Sequence, residues 1–231
     1  MSNFKKYVVA FFMVLCLTGI SRADELYNIK SSSTPIYSAP NVKSTVRGTA
    51  KSGTPLINIG GHELKNAGHS YVYILTKNGG TGWVEVSSLK DGRSIKSGNL
   101  YEYGNSKYSY AIKIPKDFKS SGKTTPGDGR TFTRGAVQII VYGSYDMMVL
   151  DHSLKDKAAE TLKDFSTTDI NVIADNWYLL RGKRGGKTVW EKCFYIEEDE
   201  RDITVQISYP SDKEEENIAT VGIVLATFKG L

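Results

Sequence analysis

The chain has 231 residues, 40% of them hydrophobic and 24% charged, which is room and composition for one or two globular domains. That excludes a wholly disordered chain, a collagen-like fibre and a polytopic membrane protein. The formal net charge is +5, and 14 tyrosines and 22 glycines lean the chain toward β structure.

Residues 1–23 read as a secretory signal peptide. Lys5 and Lys6 supply a basic start, Tyr7 to Ile20 is an apolar run of 14 residues, and Ser21-Arg22-Ala23 puts small residues where a signal peptidase needs them. The run is short for a membrane span, which takes about 20 residues. Leu15 is too bulky for Cys16 to read as a lipidation site. Without these residues 208 remain, carrying 27 basic and 25 acidic side chains. A net +2 lacks the basic stripe of a nucleic-acid-binding domain, so no nucleic-acid partner is expected. Cys193 is then the one cysteine and has no intramolecular disulfide partner. No later stretch is long and apolar enough to span a membrane. The expected location is periplasmic or secreted.

From Asp24 to Lys90 the sequence predicts short strands at Leu26–Lys30, Thr34–Tyr37, Val46–Ala50, Pro55–Ile59, Tyr71–Leu75 and Gly82–Val86. Turn signals such as Gly60-Gly61 and Lys77-Asn78-Gly79-Gly80 separate them, the pattern of a small barrel or sandwich. So small a core must lean on its aromatic residues. The opening Leu26-Tyr27-Asn28-Ile29-Lys30, Ile36-Tyr37-Ser38-Ala39-Pro40 and Val46 to Leu56 resembles a bacterial SH3-like (SH3b) domain. So does the close, Tyr71-Val72-Tyr73-Ile74 followed by Gly80-Thr81-Gly82-Trp83-Val84, although Val72-Tyr73 departs from that family's usual pattern. Trp83 reads first as core. Its functional reading is a wall of a groove with Tyr37, Tyr71 and Tyr73 that binds an extended peptide or a cell-wall component.

Residues 91–100 are polar and glycine-containing and read as a linker. From 101 to 231 the pattern is α+β. Strands are predicted at Tyr108–Ile114, Val137–Tyr142, Ile170–Ala174, Trp177–Arg181, Thr188–Ile196 and Ile203–Ser208. Asp151 to Phe165 reads as a helix with Leu154, Ala158, Leu162 and Phe165 on one face and Asp151 or Ser153 as its cap. A last helix shows a capping box, Ser211 with Glu214, and the stripe Ile218, Val221, Leu225, Phe228. Tyr108 to Phe118, Gly127-Asp128-Gly129-Arg130-Thr131-Phe132 and Ile207-Ser208-Tyr209-Pro210, in this order, resemble the Mog1/PsbP-like family. The resemblance implies an antiparallel-sheet α/β/α sandwich, and that fold implies no particular chemistry. The expected fold class is thus mainly β plus α+β, an SH3-like small β-barrel followed by a Mog1/PsbP-like domain.

No catalytic constellation stands out. Gly185-Gly186-Lys187-Thr188 ends like a phosphate-binding loop, but Arg181 occupies the position where that motif needs its first glycine, and a strand rather than a helix follows. Cys193 with His152 would be a nucleophile and base, yet Cys193 lies mid-strand and reads as a small apolar residue. His62, His69 and His152 lack metal-ligand spacing. The acidic turn Glu197 to Asp202 lacks the alternation of a calcium loop. No metal, no cofactor and no catalytic residue is expected. The functional expectation is a non-enzymatic, exported envelope binding or adaptor protein, whose partner is a peptide, a cell-wall component or an envelope protein. Alternatives are a cell-wall hydrolase with an unrecognised site, or an inhibitor or immunity-type protein that caps an enzyme.

Overall fold

The computed structural model describes residues 25–90, 92–123, 128–145 and 153–231. The expected signal peptide with Cys16, the alternative cap Asp151 and the candidate base His152 lie outside the described residues.

The first unit is one antiparallel sheet of seven strands: β1 (Leu26–Tyr27), β2 (Ser33–Tyr37), β3 (Val46–Lys51), β4 (Leu56–Asn58), β5 (Leu64–Asn66), β6 (His69–Leu75) and β7 (Thr81–Glu85). The order is β1-β4-β6-β7-β2-β3, with β5 paired on β6. The sheet curls as a half-barrel, and β1 and β3 at its ends do not pair with each other among the described residues. Side chains alternate across a strand. So Val72, Ile74 and Val84 fill the inside of the curl with Tyr27, Ile36 and Leu56, while Tyr71, Tyr73, Leu75 and Trp83 leave by the opposite face. Gly82 permits this curl. A Cβ there would stand 2.5 Å from Ile36 Cγ2 and 2.7 Å from the Tyr37 carbonyl oxygen.

The segment expected as a linker is pinned at several points. Leu26 bridges Arg93, and the Ile95 N–H donates to the Glu25 carboxylate at 2.5 Å. The Lys113 ammonium donates to the Ile95 carbonyl at 2.6 Å. Beyond it, β8 (Leu100–Asn105) and β9 (Tyr110–Pro115) form a hairpin, and β17 (Lys229–Gly230) joins β9 from the far end of the chain. A second antiparallel sheet holds β10 (Lys119–Lys123), β11 (Gly129–Arg134), β12 (Val137–Ser144), β13 (Thr167–Ile173), β14 (Trp177–Arg184), β15 (Lys187–Ile196) and β16 (Arg201–Pro210). Their order is β10-β11-β12-β16-β15-β14-β13. Among the described residues the α-helices are α1 (Leu154–Lys163) and α2 (Glu214–Thr227).

The period of two sorts this sheet into two faces. Tyr178, Leu180 and Cys193 meet Leu154 and Ala158 of α1. Leu179, Trp190, Val205 and Ile207 face α2 and the β8-β9 hairpin. Ser153 caps α1 as one of the two residues expected to do so, accepting from the Asp156 N–H at 3.2 Å while the Asp156 carboxylate accepts from the Ser153 N–H at 3.0 Å.

The capping box expected at Ser211 and Glu214 does not form. Ser211–Lys213 is a 3-10 turn, and the Glu214 carboxylate turns instead to the Tyr209 hydroxyl at 2.8 Å and to Arg181 at 3.0 Å. Desolvated partners inside the fold outcompete a helix-end amide here. The predicted stripe of α2 is buried, but so are Val224, Ala226 and Gly222. The cause is the first unit, which packs on the remaining side of the helix. A Cβ on Gly222 would lie 2.6 Å from Ile57 Cδ1. One hydrophobic core therefore runs through both units. Strands β5, β8, β10, β11 and β17 were not expected; Lys-Ser-Ser-Gly-Lys in β10, for one, has no apolar alternation to announce it.

Candidate functional site

The four aromatic residues expected to line a peptide groove do come together. Tyr37 pairs with Trp83 across β2 and β7, and Tyr73 meets Trp83 edge-on at 5.1 Å. Three of them are not open to a ligand. Tyr71, Tyr73 and Trp83 are each 3% exposed or less, and Tyr37 is half-buried. Trp177 of β14 lies 6.2 Å from Trp83 and closes the set from the second unit. Burial raises the Tyr73 and Tyr37 phenols above their ordinary value. The Tyr73 hydroxyl donates to Thr81 Oγ1 at 3.2 Å, and the Tyr71 hydroxyl accepts from the Val42 N–H at 3.2 Å. The corrected reading of Trp83 is the first of the two that the sequence offered, a core residue.

The other sequence candidates are placed as follows. Cys193 is fully buried beneath α1, and burial pushes its thiol up to about 12, with the Lys157 ammonium too weak a counterweight. A thiol in that range holds almost no thiolate at neutral pH. His69 Nδ1 sits 2.7 Å from the Glu85 carboxylate, and that hydrogen bond holds Glu85 below the usual glutamate range. His62 stands edge-on to Phe194 at 5.4 Å. Gly185 and Gly186 take φ values of 57° and 76° as the two central residues of the β14-β15 hairpin, the left-handed conformation of a tight two-residue turn and not a phosphate cradle. Among the described residues no group of three His, Cys, Asp or Glu side chains is placed to hold a metal ion.

A cleft of about 820 Å³ lies where the two units meet. Its apolar floor is Phe194, Ala226 and Phe228, with the two rings 5.7 Å apart. The first unit contributes Gly61 and His62. Gly61 has φ +85°, and a Cβ there would press within 3.2 Å of both Lys192 Nζ and Phe194 Cζ. Lys192, buried under this floor, donates to the Leu225 carbonyl at 2.9 Å in the last turn of α2, where the helix dipole favours a cation.

The rim of the cleft is acidic. Asp175, Glu197 and Glu198 are exposed there, and no ion pair among the described residues engages any of them. Lys229, half-buried, and Arg201, buried, also line the cleft. Glu200, in the left-handed region at φ 53°, lets the chain double back after the 3-10 turn Glu197–Asp199, so both glutamates project from one short corner. Sequence reasoning noticed this acidic turn and the Gly60-Gly61 pair but joined neither to a site. The floor residues come from a strand and a helix with ordinary core patterns and carried no signal.

No family model matches the chain, the SH3b family included, and no curated protein matches it. Among solved structures, the chain is similar to cyanobacterial PsbP (CyanoP) from Synechocystis sp. PCC 6803, at 15% identity and a TM-score of 0.46 over 62% of this chain and 98% of that one. It is similar also to the Ran-binding protein Mog1p of Saccharomyces cerevisiae, at 11% identity and a TM-score of 0.38 over 57% of this chain and 95% of that one.

Proposed function

We propose that this is a non-catalytic binding protein of the bacterial envelope, and that its ligand seat is the cleft between the units rather than the aromatic set around Trp83. The observation that carries this reading is the pairing of an apolar floor with three unengaged carboxylates in a cleft of about 820 Å³. That volume is in the range of small-ligand and side-chain pockets. The charge arrangement selects a partner segment that presents a lysine or arginine beside an apolar group. The leader-like residues 1–23 support export, and the expected partner is an envelope protein.

The test has two parts. Fractionation and N-terminal sequencing of the protein from cells should find a chain starting at Asp24 outside the cytoplasm. Capture from envelope extract, comparing wild type with the doubly charge-reversed Glu197→Lys/Glu198→Lys, should show a retained protein whose affinity falls at least tenfold in the variant. Both residues are exposed, so the melting temperature should stay within a few degrees. Equal retention by the variant removes the cleft from the reading. A chain found intact in the cytoplasm removes export.

A further inference from the structure

A second surface, independent of the cleft, has the features of a docking edge. β8 pairs with β9 on one side only, and its other edge carries no strand among the described residues. Its side chains alternate. Tyr101 and Tyr103 turn toward Phe132 of the large sheet, with ring centroids 6.4 and 5.6 Å away, while Glu102 and Gly104 face solvent. Between this edge and the large sheet runs a groove of about 470 Å³, floored by Phe118 and Phe132 and walled by Tyr101. Tyr101 is 48% exposed, one of the few large apolar side chains in the structure left in water.

The charges in this groove are of one sign. Lys116 and Arg130 line it, and no carboxylate does. The neighbouring Asp117 is already engaged by Arg134 at 2.8 Å. Arg130 stacks on the Tyr103 ring at 5.2 Å, and its Nε is buried without a hydrogen-bond partner. Among the described residues Arg130 makes no ion pair. A guanidinium that lines the groove, is held in place by stacking and makes no ion pair among the described residues is preorganised for a carboxylate.

We propose that the open edge of β8 takes up an extended acidic segment of a partner protein, which adds a fourth strand to the β17-β9-β8 sheet and sets a carboxylate beside Arg130. Main-chain hydrogen bonds to β8 supply affinity in this mode, and alternate side chains supply choice. One apolar side chain of the segment would lie on Tyr101 and Phe132, with an Asp or Glu two residues away reaching Arg130. Natural proteins usually blunt a free edge of this kind with charged side chains, lysine above all, or with proline. β8, Leu-Tyr-Glu-Tyr-Gly-Asn, has no lysine or proline, and its one charged side chain is the exposed Glu102.

The probe is a displayed library of seven-residue peptides selected on the full chain, with the enriched sequences resynthesised. The expected result is enrichment of peptides in which Asp or Glu alternates with an apolar residue, and shifts of the β8 backbone amides on titration by NMR. Replacing the peptide carboxylate by lysine should weaken binding about tenfold or more. Arg130→Gln should erase that discrimination. Should Arg130→Gln fold poorly, the exposed Lys116→Glu should still weaken acidic peptides. Three outcomes overturn the proposal: no acidic enrichment, shifts that map away from β8, or self-association through β8 in light scattering, which would assign the edge to a second copy of this chain.

Discussion

The indole rings of Trp83 and Trp177 lie 6.2 Å apart with their planes at 46°, one from each of the two seven-stranded sheets. Around them the backbone at Gly60 comes close to both units, so that a Cβ there would sit 3.1 Å from Tyr73 Cβ and 3.3 Å from the Trp177 ring. Dense packing of this kind transmits disorder. Neither half can loosen this surface without exposing the other's aromatic rings.

Trp177→Ala is therefore expected to destabilise the protein by about 3–5 kcal/mol, the usual cost of emptying a buried tryptophan site. Loss should be shared by both units. Far-UV circular dichroism and tryptophan fluorescence should report one coincident urea transition in wild type and variant alike. Two separated transitions in the wild type would show that the units are energetically independent.

Beneath α1, Asp202 is fully buried, paired with the Lys157 ammonium and accepting from the Ser144 hydroxyl at 2.8 Å. Burial works against the charge on Lys157, yet Cys193 and Asp202 outweigh it and raise its pKa. Lys157→Met strands the carboxylate and should cost about 3–5 kcal/mol. Lys157→Met combined with Asp202→Asn should recover much of that loss in a thermal melt. An additive double variant would show that the pair carries no coupling.

Cys193 should resist alkylation in the folded protein at neutral pH and react fully in denaturant. Mass spectrometry after an iodoacetamide pulse distinguishes the two states. Cys193→Ala should retain the fold at a cost of about 1 kcal/mol, because it removes one small buried side chain. Rapid modification of the native thiol would contradict its placement.

The His69–Glu85 pair gives a small acid dependence with a definite sign. The Glu85 pKa is lowered in the fold, so its contribution is present above the ordinary glutamate value and is lost as the pH falls through the depressed one. With His69 half exposed, the effect should be about 0.5 kcal/mol or less. Urea midpoints of wild type and Glu85→Gln should thus differ at about pH 6 and converge toward about pH 3. A gap that widens on acidification would reverse the assignment.

What the sequence disclosed follows from the range of each interaction. The start of α1 is local, and residues a few positions apart narrow its cap to Asp151 or Ser153. Trp83 was legible as a core residue because a large apolar body in a short β unit has few other uses. The burial of α2 on its second side was not legible, since Ile57 lies far away in the chain and nothing near Gly222 names it. The cleft was hidden for the same reason: Gly61, Asp175, Glu197 and Phe228 have no shared pattern until the sheets are stacked. Strand β8 lay at a composition boundary, with Leu100 read as the end of the linker and Tyr101 to Asn105 given no strand.

The placement of α2 also sets a schedule for assembly. It is the last helix in chain order, yet it lies between the two sheets, touching Ile57 on one side and Val205 and Ile207 on the other. A chain emerging from the ribosome can curl its first seven strands early, but Tyr73, Leu75 and Trp83 stay wet until β14 and then α2 arrive. Folding must wait on these long-range contacts, which slows it. Residues 25–90 made alone would keep that aromatic face permanently uncovered, and should precipitate or pair with one another instead of behaving as a free-standing module.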